Sequence, residues 1–443
     1  MNAVRNLNNP VKNQGISNRA DYVIIGNSVS GIAAIEAIRG CDKKGRILVI
    51  SDESYFNYSR PLISYLLGKK IGSERMSYRG RDFYQDNNVE LILNKRATGL
   101  GLRRKEVVLR GSQKIKFDKL LIATGGVPIM PEIKGFELGG IFTFTKLADA
   151  QDIEKYIKAK KVKHTIVIGG GLIGLKATEA LVGLKIKVTI IELADRILSA
   201  TFDKKASNII QRALEKVGCK LITNNTVVEI KGNKKVKEII LKDKKKIPAD
   251  LVIVAIGVRP NIELVKNTPI KTNKGILVDR FMQTNIKDVY AAGDCCEARN
   301  LFLDVNQPIA IWPVAAKQGK IAGYNMAGVK KEYPGSFLMN SVELCGIPTI
   351  SVGQIRSEGE GYQILEYFSQ VKPVYKKIIL KHNKIIGAIF IGDIERAGIY
   401  TGLIKDKVDT KSFKEHLLKE DFGLISLPSE YRTHLVAGRV AII

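Results

Sequence analysis

The 443-residue sequence lacks any long apolar run. Its longest stretch without Asp, Glu, Lys or Arg is the 14 residues from Tyr22 to Ile35, whereas a bilayer span takes about 20. No transmembrane helix is expected. The five cysteines (Cys41, Cys219, Cys295, Cys296 and Cys345) include no CxxC pair and no metal-ligand spacing. That excludes a disulfide scaffold or a zinc ribbon, calls for no metal, and fits a reducing cytoplasm. The first 19 residues are rich in Asn and have no apolar core of the kind a secretory signal needs, so they read as a flexible leader. Acidic residues are also in short supply, 44 against 71 basic ones, for a net charge of +27. Such a charge fits nucleic acid, an anionic membrane surface, an acidic protein partner or a lysine-rich proteome. The densest basic stretch, Lys231 to Ile247, alternates Val236, Ile239 and Leu241 like a hairpin, and no aromatic-interleaved basic motif accompanies it. It reads as a solvated hairpin face, and nucleic-acid binding is not expected.

What is present is a globular chain, 45% hydrophobic and 26% charged, long enough for about three domains. One organisation occurs twice. Asp21 to Gly26 reads as a buried strand ending in glycine, followed by Asn-Ser28-Val-Ser30-Gly31, a helical stretch, and a second strand Arg46 to Ile50 that ends at Ser51-Asp52-Glu53. The pattern returns as Thr165 to Gly169, then Gly170-Gly171-Leu172-Ile173-Gly174, a helix through Leu184, and a strand Lys187 to Ile191 that ends at Glu192. In such a loop the first glycine makes the turn, the second lets backbone approach a pyrophosphate, and the third packs helix on strand. The helix N-terminus offers free N–H groups to the phosphates, and an acid about 20 residues on binds a ribose diol. The second copy, Gly169-x-Gly171-x-x-Gly174 with Glu192, is an NAD-type site. Its carboxylate favours NADH over NADPH, and Arg196 stands close enough in sequence to soften that preference. In the first copy Ser28 replaces the middle glycine; its Cβ crowds a pyrophosphate, while its hydroxyl can donate a hydrogen bond instead.

With both loops in view, the chain resembles the pyridine nucleotide–disulfide oxidoreductase superfamily over about residues 20–410. Supporting segments are Asp118 to Ala123-Thr124-Gly125, Leu251 to Gly257-Val-Arg-Pro260 and Thr284 to Gly293-Asp294. In the last, the resemblance implies that Asp294 holds a ribityl hydroxyl of FAD. The stretch Tyr58-Ser-Arg60-Pro61-Leu-Ile-Ser64 is similar to the branch of ferredoxin and rubredoxin reductases and the flavin part of NADH-dependent nitrite reductase, where the Arg-Pro pair lies against the flavin. Trp312, the single tryptophan, resembles the segment that passes the pyrimidine edge of the ring. The resemblance also implies cofactor contacts at Ala97 and Gly257.

Three departures from the family pattern matter. The segment Tyr55 to Ser64 contains no cysteine, so disulfide, peroxide or coenzyme A–disulfide reduction by a thiolate there is excluded. Cys295-Cys296 follow Asp294 and read as small residues packing the cofactor segment. Glu430 and His434 read as a local surface pair, not as the family's C-terminal acid/base pair. Finally, Lys176 stands where many relatives carry Glu, with Glu179 at i,i+3. These two are the candidate catalytic residues, Lys176 favouring the anionic reduced flavin.

The expected fold is α/β: two Rossmann-like, glutathione-reductase-like dinucleotide domains plus a small α/β cap. The expected boundaries are a leader at 1–19, a discontinuous FAD domain at 20–145 and 270–330, an NAD domain at 146–269, a cap at 331–410 and a tail at 411–443. Cap strands are expected at Ser341–Cys345, Thr349–Gly353, Tyr375–Leu380 and Ile385–Phe390, with a helix from Ala397 to Lys405. The expected function is an FAD-dependent NAD(P)H oxidoreductase that exchanges electrons singly with an acidic, ferredoxin-like iron–sulfur protein. The alternatives are a stand-alone NADH oxidase using oxygen, or the flavin subunit of a larger dehydrogenase. The apolar end of the tail either packs back on the cap or inserts into a partner subunit, and a homodimer or heteromeric complex is expected through the C-terminal domain.

Overall fold

The computed structural model describes residues 17–356, 360–429 and 431–432. Most of the leader, the Glu430–His434 pair and the apolar end Leu435 to Ile443 lie outside the described residues. The chain forms two compact units: one runs to Ile191 and continues from Thr226 to Ser336, and the other joins Glu192–Asn225 to the chain from Phe337 onward.

The first unit holds both nucleotide-type sheets. Five parallel strands stand in the order Val89–Ile92, Ile47–Ile50, Arg19–Ile25, Lys114–Ile122 and Val289–Ala291. Their near-continuous apolar runs suit a parallel sheet covered on both faces. Ile24, Leu48, Leu120 and Ala291 are all fully buried. The second sheet repeats the scheme in the order Lys187–Ile191, His164–Ile168, Leu251–Val254 and Ile141–Thr143. In each sheet the chain leaves the glycine-ended strand to one side and later returns on the other. This reversal opens a crevice beyond the strand ends, where α/β folds bind ligands. The short strands Gly126–Pro128 and Val258–Pro260 pair antiparallel and tie the two halves of the unit together.

Small residues permit a close helix–helix contact. The helices Val29–Cys41 and Trp312–Met326 meet backbone to backbone. A Cβ on Gly319 would come within 2.1 Å of the Ser30 carbonyl oxygen, and one on Gly323 within 2.6 Å of that of Ala34. The Ser30 hydroxyl donates across the contact to the Ala315 carbonyl at 3.0 Å.

The second unit contains a five-stranded antiparallel sheet, ordered Met339–Leu344, Ile347–Gly353, Lys384–Ile391, Tyr375–Lys381 and Tyr362–Phe368. Four strands and the helix Ala397–Lys405 match the expected elements. The edge strand Tyr362–Phe368 was missed, because its Gln363-Ile364-Leu365-Glu366 core does not alternate cleanly. His382 and Asn383, both at positive φ, make the turn between the two central strands.

A charged cluster fixes the helix Lys204–Lys216 to this sheet. Asp203 caps the helix by accepting from the Ala206 N–H at 3.0 Å. Its other oxygen accepts from the Tyr375 hydroxyl at 2.7 Å and the Lys377 ammonium at 3.0 Å. Burial alone would raise the Asp203 pKa, but these three donors outweigh it and hold the carboxyl below its usual range. A lowered pKa contributes stability that is present above about pH 5 and is lost as pH falls through 4 and below. Asp203→Asn, which keeps a capping oxygen but leaves the buried Lys377 charge short of its partner, is expected to cost about 2–4 kcal/mol at pH 7. Urea unfolding at pH 7 and pH 3 checks this, and the cost should shrink at the lower pH.

Candidate functional site

Two loops of one geometry stand at the two crevices. Gly26 and Gly169 have φ of 123° and 107°, conformations that a side chain would strain. A Cβ on Gly26 would lie 2.1 Å from the Ala123 carbonyl oxygen, and one on Gly169 would lie 2.4 Å from that of Ala255. The third glycine repeats the match: Cβ atoms on Gly31 and Gly174 would strike the carbonyl oxygens of Gly26 and Gly169 at 2.2 and 2.0 Å. The first and third glycines of both loops are therefore required by the fold itself.

The middle position behaves differently. A Cβ on Gly171 would meet nothing within 4 Å, so the glycine leaves open space above the loop. The helices Val29–Cys41 and Leu172–Gly183 begin there with N-caps Ser28 and Gly171, no side-chain cap and no acid in the first turn. Their first N–H groups are left for an anion to satisfy. An open cradle with uncapped donors is what a dinucleotide pyrophosphate requires; the second loop meets both conditions, and the first, with Ser28 at the middle position, offers the uncapped donors. Leu172 and Ile173 form the first turn beyond Gly171. Glu192 follows the strand Lys187–Ile191 directly, and its carboxylate accepts from the Ala194 N–H at 2.8 Å.

Around the first loop the predicted residues converge. Glu53 is 13% exposed and forms an ion pair with Arg60; it also accepts from the Tyr58 hydroxyl at 2.7 Å. Arg60 donates to the Thr145 carbonyl at 3.1 Å, and Pro61 helps start the short 3-10 turn Arg60–Leu62. Burial works against the Arg60 charge, but Tyr58, Glu53 and Asp294 more than restore it. Burial also raises the Asp294 pKa, with Arg60 opposing. Asp52 remains half exposed, 3.7 Å from the Lys146 ammonium. Gly293, at φ 85°, donates its N–H to the Gln318 side chain at 2.9 Å. Thr124 donates to the Asn261 carbonyl at 2.7 Å, and the Asn261 N–H returns a bond to Gly125, which joins the Ala123-Thr124-Gly125 turn to the segment that begins at Gly257. Trp312 packs edge-on against Tyr78, with ring centroids 5.2 Å apart. Ala97 opens an added strand, Ala97–Gly101, opposite Leu109, and packs against the core of the sheet.

Lys176 and Glu179 form an ion pair at 2.5 Å, with side chains only 17% and 10% exposed. The Lys176 ammonium also lies 4.8 Å over the Tyr65 ring. Tyr65 belongs to the turn Ile63–Leu67 that follows Arg60-Pro61, so this cation links the segment after the first loop to the helix of the second.

Sequence reasoning missed several supports. Tyr84 donates to Asn27 at 2.7 Å and accepts from Asn57, and burial pushes its pKa up to about 12. Tyr58, Tyr65, Tyr78 and Gln318 were missed as well. Aromatic richness between Tyr55 and Tyr84 was the one available signal. Cys295 and Cys296 are free; burial raises both thiols, Cys296 strongly, and they serve as packing.

Residues 20–319 match the pyridine nucleotide-disulphide oxidoreductase family. The chain belongs to that family. Residues 339–408 match the rubredoxin NAD+ reductase C-terminal domain. The chain is 31% identical over 393 residues to nitrite reductase [NAD(P)H] of Bacillus subtilis, covering 88% of this chain but 48% of the relative, so it spans about half that protein's length. It is 31% identical over 314 residues to rubredoxin-NAD(+) reductase of Pseudomonas putida, covering 70% of this chain and 81% of the relative. The solved NAD-dependent persulfide reductase from A. fulgidus superposes with a TM-score of 0.82 at 26% identity, covering 91% of this chain and 79% of that one. The α/β fold with paired dinucleotide sheets is that of the family, whose members work with FAD and NAD(P). Among the described residues no helix is long and apolar enough to cross a membrane.

The two kinds of loop glycine should separate in experiment. Gly174→Ala forces a Cβ onto a backbone oxygen and is expected to cost about 2 kcal/mol of stability. Gly171→Val, into open space at an ordinary φ of −80°, should leave the melting temperature unchanged and weaken NADH binding by about tenfold or more, or about 1.4 kcal/mol. Thermal denaturation and NADH titration of the two variants check the pair.

Proposed function

We propose that the chain takes a hydride from NADH onto FAD and exchanges electrons singly with a separate iron–sulfur protein, in either direction. The observation that carries this reading is what occupies the segment after the second strand. Where a thiol would be needed for disulfide or persulfide reduction, this chain places the Glu53–Tyr58–Arg60 network, which has no nucleophile. Similarity to rubredoxin-NAD(+) reductase and to the rubredoxin reductase C-terminal domain supports a protein acceptor. Bound FAD supplies the ability to accept a hydride and to release electrons one at a time.

The chain's own residues bind, orient and tune. Gly26, Ser28, Ser30 and Gly31 form the FAD cradle, and Gly169 to Gly174 form the NAD cradle. Asp294 takes a ribityl hydroxyl, Arg60 supplies fixed positive charge, and Asp52, half exposed beside the Lys146 ammonium, takes the ribose while Glu53 orients Arg60. Glu192 selects NADH: its carboxylate accepts from a 2′-hydroxyl and repels a 2′-phosphate. Arg196, paired to Asp195 at 2.7 Å, stands close enough in sequence to soften that choice. Lys176, held by Glu179 and Tyr65, is the catalytic cation that favours negative charge in the reduced cofactor. The FAD domain is 20–145 with 270–330, and the NAD domain is 146–269. Cys41, Cys295 and Cys296 are free thiols, in keeping with a reducing cytoplasm. The +27 charge suits an acidic partner.

Anaerobic mixing of the NADH-reduced protein with oxygen, a disulfide, a rubredoxin and a clostridial-type ferredoxin in turn tests the reading. Fast reoxidation by an iron–sulfur protein is expected, slowing severalfold between low and physiological salt as charges are screened over a Debye length of about 8 Å. Fast reoxidation by oxygen alone would replace it with an NADH oxidase. Lys176→Glu should shift the flavin midpoint potential to more negative values and slow reduction by NADH about tenfold, a loss of about 1.4 kcal/mol. An unchanged potential would remove Lys176 from the site. Glu192→Ala should lower the preference for NADH over NADPH by about tenfold.

A further inference from the structure

The first nucleotide loop is held by a side-chain tether that the second has no means to make. Between Gly26 and the start of the helix Val29–Cys41, the backbone N–H groups of Asn27 and Ser28 have no hydrogen-bond partner among the described residues. Open donors suit an anion, but a loop that leaves them open gains little rigidity from its own backbone. The Asn27 side chain supplies the missing support. Its Oδ1 accepts from the Tyr84 hydroxyl at 2.7 Å, and its amide nitrogen donates to the Tyr55 carbonyl at 3.4 Å.

Tyr84 is itself immobilised. Its hydroxyl accepts from the backbone N–H and the side-chain amide of Asn57, each at 3.1 Å, and Asn57 Oδ1 accepts from the Arg79 N–H at 2.7 Å. The ring packs between Phe56 and Phe83, with centroids 5.6 and 5.3 Å away. Tyr84 and Asn57 are both buried. Burial keeps the phenol protonated at neutral pH, so it stays a donor to Asn27. One donor and two acceptor positions are all a phenol has, and all three are used.

The second loop carries glycine at both matching positions, Gly170 and Gly171, so no side chain tethers it there. The two cofactors make different demands. NADH must leave and be replaced at every turnover, whereas FAD stays through all of them. Fixing a loop in its bound conformation removes an ordering cost from binding and lengthens residence. We propose that Tyr84 is a positioning residue for the FAD pyrophosphate: acting through Asn27, it fixes the open N–H groups of the first loop and slows release of the cofactor. This rests on the reading of the first loop as the FAD cradle.

FAD release from the full FAD-loaded chain after dilution, followed as the return of free-FAD fluorescence, tests it. The phosphorus NMR spectrum of the bound pyrophosphate is the second readout. Asn27→Ala cuts the tether at a half-buried position and leaves the Tyr84–Asn57 bonds intact. Tyr84→Phe cuts it from the other end and keeps the ring packing. Each should speed FAD release by about tenfold and shift the pyrophosphate resonances, while the NADH dissociation constant at the second loop stays unchanged. The double variant should release FAD no faster than Tyr84→Phe alone, because both changes break one bond. Unchanged release and resonances in Asn27→Ala would overturn the tether, even where Tyr84→Phe lowers the melting temperature through Asn57. Single effects that multiply in the double variant would overturn it too. A wild-type chain that takes up no FAD would overturn the assignment of the loop, and the tether with it.

Discussion

The structure turns on how closely one backbone approaches another at two places. Gly26 faces the carbonyl of Ala123 and Gly169 faces that of Ala255, each across the point where its sheet reverses direction. Nothing larger than hydrogen fits at either turn. That contact ends the strand, starts the helix and sets the third glycine against the first. It leaves uncapped N–H groups pointing into a crevice, so the anion site follows from the packing and is not added to it. A chain that satisfies this constraint twice holds two dinucleotides, and reactions between a nicotinamide and a flavin become its natural chemistry.

The rest of the proposed site offers electrostatic support. Arg60, Asp294 and Lys176 are ionisable groups with restricted access to water, and each has a neighbour that fixes its charge or position: Glu53 and Tyr58 for Arg60, Arg60 for Asp294, and Glu179 with Tyr65 for Lys176. Charges held this way act strongly, because they need no reorganisation when the reaction shifts charge nearby. The buried thiols at Cys295 and Cys296 point the same way. Burial keeps them protonated, so the redox work falls to the cofactors.

Sequence alone revealed the glycine loops and their strands, since each is demanded by a local rule of backbone geometry or anion binding, whereas Asp294 was picked out only by resemblance to the family. Four cap strands could also be read, two from alternation (Ser341–Cys345 and Thr349–Gly353) and two from short apolar runs within Tyr375–Leu380 and Ile385–Phe390. Less was legible where partners come from distant segments. The Tyr84–Asn27 bond spans 57 positions and the Asp203–Tyr375 bond 172, and no periodicity announces either. The edge strand Tyr362–Phe368 escaped because neither of its faces is buried, so no core contact enforces alternation. The cation over Tyr65 was invisible for another reason: Lys176 was identified from its place after the loop, but what holds its charge depends on how two helices pack.

The most direct measurement of the central claim is a single anaerobic turnover of the purified, FAD-loaded chain with one equivalent of NADH. Two nucleotide cradles serving one reaction predict complete bleaching of the flavin at that stoichiometry, with no thiol lost during the turnover. A flavin that stays oxidised while NADH binds would contradict the account, because both cradles would then be present without the reaction they are built to join.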